Sequence, residues 1–264
     1  VWEIKQLVKY SEDGFESMDD NIVIEEPLQI MIQKPCQLPE PLSITMRTPG
    51  DDEALALGFM YGEGMIVNNN EAEAIAVSPE TVVVKVPASF QMAREDKRNF
   101  YMTSSCGVCG KSSIESLKIH KDPFNISEEI VPSIIPGLYR EMLQTQMAYT
   151  LTGGCHSAGV FTLDGHLVSA SEDVGRHNAL DKCVGKMLRA HFDMDTPVIV
   201  CLSGRACYEL IQKAAMIHAV CVISVGAPTT LAIETADEMG ITLIRFFKKL
   251  SFNVFTHSAR IVVR

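Results

Sequence analysis

The stretch PVIVCLSGRACYELIQKAAMIHAVCVISVGAPTTLAIETADEMGITLIRFF, residues 197–247, decides the fold. It holds three short apolar runs, PVIVCL, VCVISV and ITLIRFF, separated by segments of helical periodicity at residues 206–218 and 230–239. Short apolar runs rich in β-branched residues read as strands buried on both faces. Strands alternating with helices imply a largely parallel sheet covered on both sides. Upstream, the pattern predicts a helix over 134–148, a hairpin of strands 159–163 and 167–170 turning at Asp164-Gly165, and a helix over 174–190 with Asp173 as its cap.

Residues 21–87 have a different grain. The runs IVIEEPLQIMI, LSITMRTP, AEAIAVS and TVVVKVP read as strands, and one helix opens at Pro49-Gly50-Asp51-Asp52 and ends near Gly62 to Gly64. Residues 88–132 are polar and irregular. The expected organisation is therefore a small N-terminal α+β domain (1–100), a connecting region with a mobile functional loop (101–132) and an α/β domain (133–264), α/β in class and α+β overall.

Composition narrows the function. Lys plus Arg total 23 against 33 Asp plus Glu, a formal net charge of -10, which argues against broad attraction to nucleic acid or an anionic membrane surface. No apolar stretch approaches the roughly 20 residues of a membrane span, and the charged opening residues 1–20 are unlike a signal peptide. Eight cysteines spread over 264 residues do not resemble the disulfide scaffold of a small secreted domain, so the expected compartment is the cytoplasm.

Among those cysteines, Cys183, Cys201 and Cys221 lie in apolar or helical patterns where cysteine acts as a small hydrophobe. Cys106 and Cys109 differ, being flanked by Ser104, Ser105, Gly107, Gly110, Ser112 and Ser113. An exposed thiol near Lys111 and a helix start (Ser112-Ser113-Ile114-Glu115 fits a capping box) favours the thiolate that attacks sulfane sulfur. The pair therefore reads as redox or sulfur-transfer chemistry. The competing reading is half of a zinc knuckle, which needs a second pair or a Cys-His set at suitable spacing, and no second Cys-X-X-Cys exists. Gly110-Lys111-Ser112 is no phosphate-binding P-loop, because Ser105 stands where that motif needs glycine.

Two strand-to-helix turns offer backbone N–H groups to an anion: Leu202-Ser203-Gly204-Arg205, and Gly226-Ala227-Pro228-Thr229-Thr230. Both fall at carboxyl ends of the predicted parallel strands, where open α/β sheets bind ligands. Arg205 adds a bidentate donor for phosphate. Each turn is also readable as an ordinary helix cap. Arg176, His177 and Asn178 open the preceding helix with groups suited to a purine, pterin or phosphate, while His156, after Gly153-Gly154, reads as structural.

The element order from residue 133 resembles the cytidine-deaminase fold, a three-layer αβα domain. The zinc deaminase signature H-x-E with P-C-x-x-C does not accompany it, since the helix starts read His177-Asn178-Ala179 and Arg205-Ala206-Cys207. No metal ligand is assigned, and zinc-hydroxide deamination is not expected.

The motifs TPGDDEALALGFMYGEGMI, SSCGVCGKSSIE, TGGCHSAGVF, EDVGRHNALDK, LSGRACYELIQKA and VGAPTTLAIETADEMGITLIRF together resemble those of the formate dehydrogenase accessory sulfurtransferases, the FdhD family. The resemblance implies a cytoplasmic, dimeric sulfur carrier. Such a protein takes sulfur from a cysteine desulfurase and passes it to the molybdenum cofactor, bis(molybdopterin guanine dinucleotide), for formate dehydrogenase. By the same resemblance Cys106 is the persulfide cysteine and Cys109 its partner. The cofactor-binding stretch falls on Phe246, Phe247, Lys248, Lys249, Leu250 and Ser251, joined by Ser203, Gly204, Arg205, Thr229 and His177. Family members often carry Gly-Arg where this chain has Leu250-Ser251, which leaves Lys248 and Lys249 as its basic candidates. Two other classes stay open: a binding-only cofactor chaperone with a structural or zinc-binding Cys-X-X-Cys, and a nucleotide-handling enzyme.

Overall fold

The computed structural model of the chain describes residues 1–67, 72–91, 122–124, 128–247 and 251–263, with the backbone alone at Phe247. Cys106, Cys109 and the loop expected to be mobile therefore lie outside the described residues, as do Lys248, Lys249 and Leu250. The described part is of mixed α/β class, as the sequence predicts.

The chain opens with an antiparallel hairpin, β1 (Trp2–Ser11) and β2 (Gly14–Val23), to which the sequence reading assigns no element. Period-two apolar residues Trp2, Ile4, Val8 and Tyr10, with the positive φ of Gly14 at the turn, form it despite the charges between them. Next come β3 (Glu26–Gln33), β4 (Glu40–Arg47), α1 (Asp52–Gly62), β5 (Glu73–Ser78) and β6 (Thr81–Lys85), whose strands lie in the order β4-β3-β6-β5. In β3 the alternate residues Leu28, Ile30 and Ile32 are buried, the period-two signature of a one-sided strand. Buried Arg47 ties the end of β4 to the start of α1 through two 2.9 Å bonds to Asp52, and donates at 2.7 Å to the Pro79 carbonyl.

The second half supplies α2 (Ile135–Gln144), α3 (Met147–Thr152), β7 (His156–Thr162), β8 (Leu167–Asp173), α4 (Arg176–Arg189), β9 (Val198–Arg205), α5 (Tyr208–Met216), β10 (Ala219–Gly226), α6 (Thr230–Glu238), β11 (Thr242–Phe247) and β12 (Ser251–Val254). Strand order is β12-β11-β10-β9-β7-β8. The strands β9, β10 and β11 are parallel to one another, while β7 and β12 run against their neighbours. In β9, Val198, Val200 and Leu202 join the core shared with α4, α5, α6 and α1, while Ile199 and Cys201 join the core under α2. Both sheet faces are covered, which is why these strands read as unbroken apolar runs.

Two sequence expectations are corrected here. The single helix over 134–148 is broken between α2 and α3, because the carboxylate of Glu172 on β8 accepts bonds from the N–H groups of Ala148 and Tyr149, both at 2.8 Å, and so starts a new helix. Asp173 does not cap α4, whose N-cap is Gly175; it is fully buried, pairs with Lys182 at 2.8 Å and accepts the Thr48 N–H. Among the described residues no helix is long and apolar enough to cross a membrane.

Candidate functional site at the carboxyl edge of the sheet

Among the described residues the topology brings Ser203, Gly204, Arg205 and Ser251 to one edge. The carboxyl ends of β9, β10 and β11 share it, and the antiparallel partners β7 and β12 begin there with His156 and Ser251. Leu202 to Arg205, expected as a strand-to-helix turn, is instead the end of β9, and Gly226 closes β10 directly opposite Arg205. A Cβ added to Gly226 would lie 2.7 Å from the Arg205 backbone nitrogen, so only glycine lets the two strand ends approach this closely. A Cβ on Gly204 would lie 3.2 Å from His156 Nδ1 and 3.7 Å from Arg176 Cδ, which sets His156 and Arg176 beside the same strand end.

Side chains at this edge divide into committed and available groups. Ser203 Oγ accepts the Ser157 N–H at 2.8 Å, and Thr229 Oγ1 accepts the Ala232 N–H at 3.2 Å as the cap of α6. Phe246 is buried in the core under α2, its ring 5.0 Å from that of Tyr139, so its side chain serves packing. Arg205 and Ser251 are exposed. Arg176 Nε is buried with no bonding partner. Its charge, after burial, holds the His156 imidazole below its ordinary value. The edge therefore brings together two guanidinium groups, those of Arg205 and Arg176.

His177 sits deeper. Its Nε2 lies 2.8 Å from Glu209 Oε2 and 3.3 Å from Cys207 Sγ. Burial pulls the imidazole down, but its bonds to Cys207 and Glu209 outweigh this and hold its pKa at about 8. Burial raises the Cys207 thiol, yet His177 outweighs it and leaves the thiol below its ordinary value. Glu209 likewise titrates lower than usual, burial being overcome by His177. The sequence reading singled out His177 but missed Cys207 and Glu209. Their only local signal is the position of Cys207 at a helix start, because without a Cys-X-X-Cys or His-X-Glu pattern nothing links residues that fold alone brings together. Cys183, Cys201 and Cys221 are fully buried, as expected.

Fold and edge together describe a class: an α/β protein whose parallel strands end at an edge that brings Arg205, Arg176 and Gly226 together, with a Cys-X-X-Cys pair elsewhere in its sequence. The FdhD/NarQ family model matches residues 23–262, and the chain belongs to that family. A protein of Picrophilus torridus named sulfur carrier protein FdhD is 43% identical over 244 residues, 92% of this chain and 92% of its own. One of the same name from Streptomyces coelicolor is 36% identical over 282 residues, 100% of this chain and 97% of its own. A crystal structure from Desulfotalea psychrophila, of a protein described as a formate dehydrogenase accessory protein, superposes with a TM-score of 0.80 at 24% identity, covering 99% of both chains. That likeness establishes the fold.

Proposed function

We propose that this chain is a cytoplasmic sulfur carrier. It accepts sulfane sulfur from a cysteine desulfurase on Cys106, with Cys109 as the neighbouring thiol, and passes it to bis(molybdopterin guanine dinucleotide) destined for formate dehydrogenase. Membership of the FdhD/NarQ family over residues 23–262, a range that includes the Cys-X-X-Cys, carries the reading. Relatives named sulfur carrier proteins and a structural neighbour described as a formate dehydrogenase accessory protein support it.

The chemistry divides between two places. In loading, a Cys106 thiolate attacks the outer sulfur of the desulfurase persulfide, one S–S bond forms as another breaks, and the donor cysteine leaves as thiolate. The cofactor is the cargo-receiving substrate. Its guanine nucleotide phosphates suit the edge of Ser203 to Arg205, Gly226 to Thr229 and Ser251, where Arg205 and Ser251 are exposed. Lys248 and Lys249 follow directly on β11 in sequence and add charge. A homodimer is the proposed assembly.

Complementation tests this. In cells lacking their own carrier, the wild-type chain restores formate dehydrogenase activity and Cys106→Ala does not. Full restoration by Cys106→Ala would overturn the reading.

A further inference from the structure

The contact of His177 with both Cys207 and Glu209 is unlike a catalytic relay. In such a relay the acid and the nucleophile occupy opposite nitrogens of the imidazole. Here both face Nε2, at 2.8 Å and 3.3 Å, while Cys207 Sγ stands 4.0 Å from Glu209 Oε2. One imidazole nitrogen offers a single proton in a single direction, so it cannot satisfy both neighbours well. Three donor atoms, one N, one S and one O, thus converge on a common point, all within 4.8 Å of one another.

We propose that His177, Cys207 and Glu209 form a binding site for a zinc-like divalent cation. Zinc takes imidazole nitrogen and thiolate sulfur, with carboxylate oxygen as a further ligand, at about 2.0–2.3 Å, and a tetrahedron of such bonds has edges of about 3.3–3.7 Å. The three observed separations bracket that range. The donors stand on rigid supports: His177 is the second residue of α4, Cys207 is the N-cap of α5 and Glu209 the second residue of that helix. His177 and Glu209 are buried, so metal binding needs little reordering. Cys207 as thiolate and Glu209 as carboxylate cancel the charge of a dication, while the positive charges of Lys213 and Arg176, which also act on Glu209, stand outside that balance.

Among the described residues the group has three donors, the count of an open rather than a closed structural site, which leaves a fourth position for water or an exchangeable anion. The ligands occupy the two helix starts at which a zinc deaminase would carry its own. Ala179, however, stands where that chemistry needs glutamate, so the site is a metal site without deaminase function. It is independent of the sulfur-transfer reading, which uses other cysteines.

The test uses the full chain with Cys36, Cys106 and Cys109 all changed to Ser, stripped with a chelator and then dialysed against zinc or cobalt. The expected result is one bound equivalent, a thiolate-to-cobalt charge-transfer band, and protection of Cys207 from alkylation when zinc is present. Adding Cys207→Ala should abolish the band and weaken zinc binding more than about a hundredfold, a direct ligand being worth at least as much as its supports. Cys207→Ser, nearly isosteric, repeats the measurement in case the alanine protein is unstable. No zinc bound by the triple-Ser protein, or binding unchanged by both Cys207 substitutions, would overturn the site. Zinc present in the wild type and lost with Cys106 and Cys109 would assign the metal to that pair instead.

Discussion

Gly58 of α1 and Gly185 of α4 face each other's helix backbone: a Cβ on Gly58 would overlap the carbonyl of Asp181, and one on Gly185 the carbonyl of Ala54. The two helices meet nearly backbone to backbone. That close crossing carries one core from β3 and β6 through α1 into α4 and β9, and it fixes the helix that presents His177.

The first prediction follows from that crossing. Gly58→Ala and Gly185→Ala should each destabilise the fold by about 1–3 kcal/mol or more through overpacking, although alanine is the better helix former. Gly137→Ala, exposed in α2 with open space around its added methyl, should be neutral or slightly stabilising. Urea unfolding checks all three.

The second concerns Lys213, buried under α1. It binds Asp181 at 2.8 and 3.1 Å and approaches Glu63 at 3.5 Å. Lys213→Met strands buried carboxylates and should cost about 3–5 kcal/mol. Pairing it with Asp181→Leu should recover a large part, because the more deeply buried of the two uncompensated charges is then gone, leaving only that of Glu63. A double variant no more stable than Lys213→Met alone would contradict this account of the pair.

How much of this was legible in the sequence depends on where each signal resides. The alternation of Val198, Val200 and Leu202 with Ile199 and Cys201 is local, so β9 and the layers around it could be read directly. The β7–β8 hairpin was equally readable from Asp164-Gly165, where Gly165 takes a positive φ. The break between α2 and α3 was not, because its cause is Glu172, a residue on another element. Likewise Asp173 carries the local signature of a cap, yet Lys182 and the Thr48 N–H share its Oδ2, while Oδ1 accepts the N–H of Gly175, itself the N-cap, and the Asn178 side-chain amide. At the candidate site the two turns were visible as strand ends. Cys207 and Glu209 became partners of His177 only through packing of α5 beside α4.

The third prediction is pH-dependent. Burial, with a smaller contribution from Asp195, raises the Tyr61 hydroxyl from 10.0 to about 12, and it donates to the Met216 carbonyl at 3.2 Å. An acid whose folded pKa exceeds its unfolded value contributes stability that is fully present below the unfolded pKa. That contribution is lost as pH rises from 10 through about 12. Tyr61→Phe should shrink the alkaline loss of stability by on the order of 2 kcal/mol. An alkaline melting profile identical to wild type would refute the assignment.

The fourth separates the two halves of the proposed function. Arg205→Ala should weaken binding of GDP, a fragment of the cofactor, about tenfold or more, since one charge-assisted phosphate contact is worth roughly 1.5–3 kcal/mol. Sulfur loading should be unchanged. Equal GDP affinity by calorimetry would remove Arg205 from the site.

The central claim is that sulfur is carried on Cys106, and mass spectrometry after incubation with a cysteine desulfurase and cysteine tests it most directly. The account predicts a reductant-labile gain of one sulfur atom on the peptide containing Cys106 and Cys109, absent in Cys106→Ala. A desulfurase-treated wild-type protein with no added sulfur on that peptide, or a Cys106→Ala protein that loads as well as wild type, would contradict it.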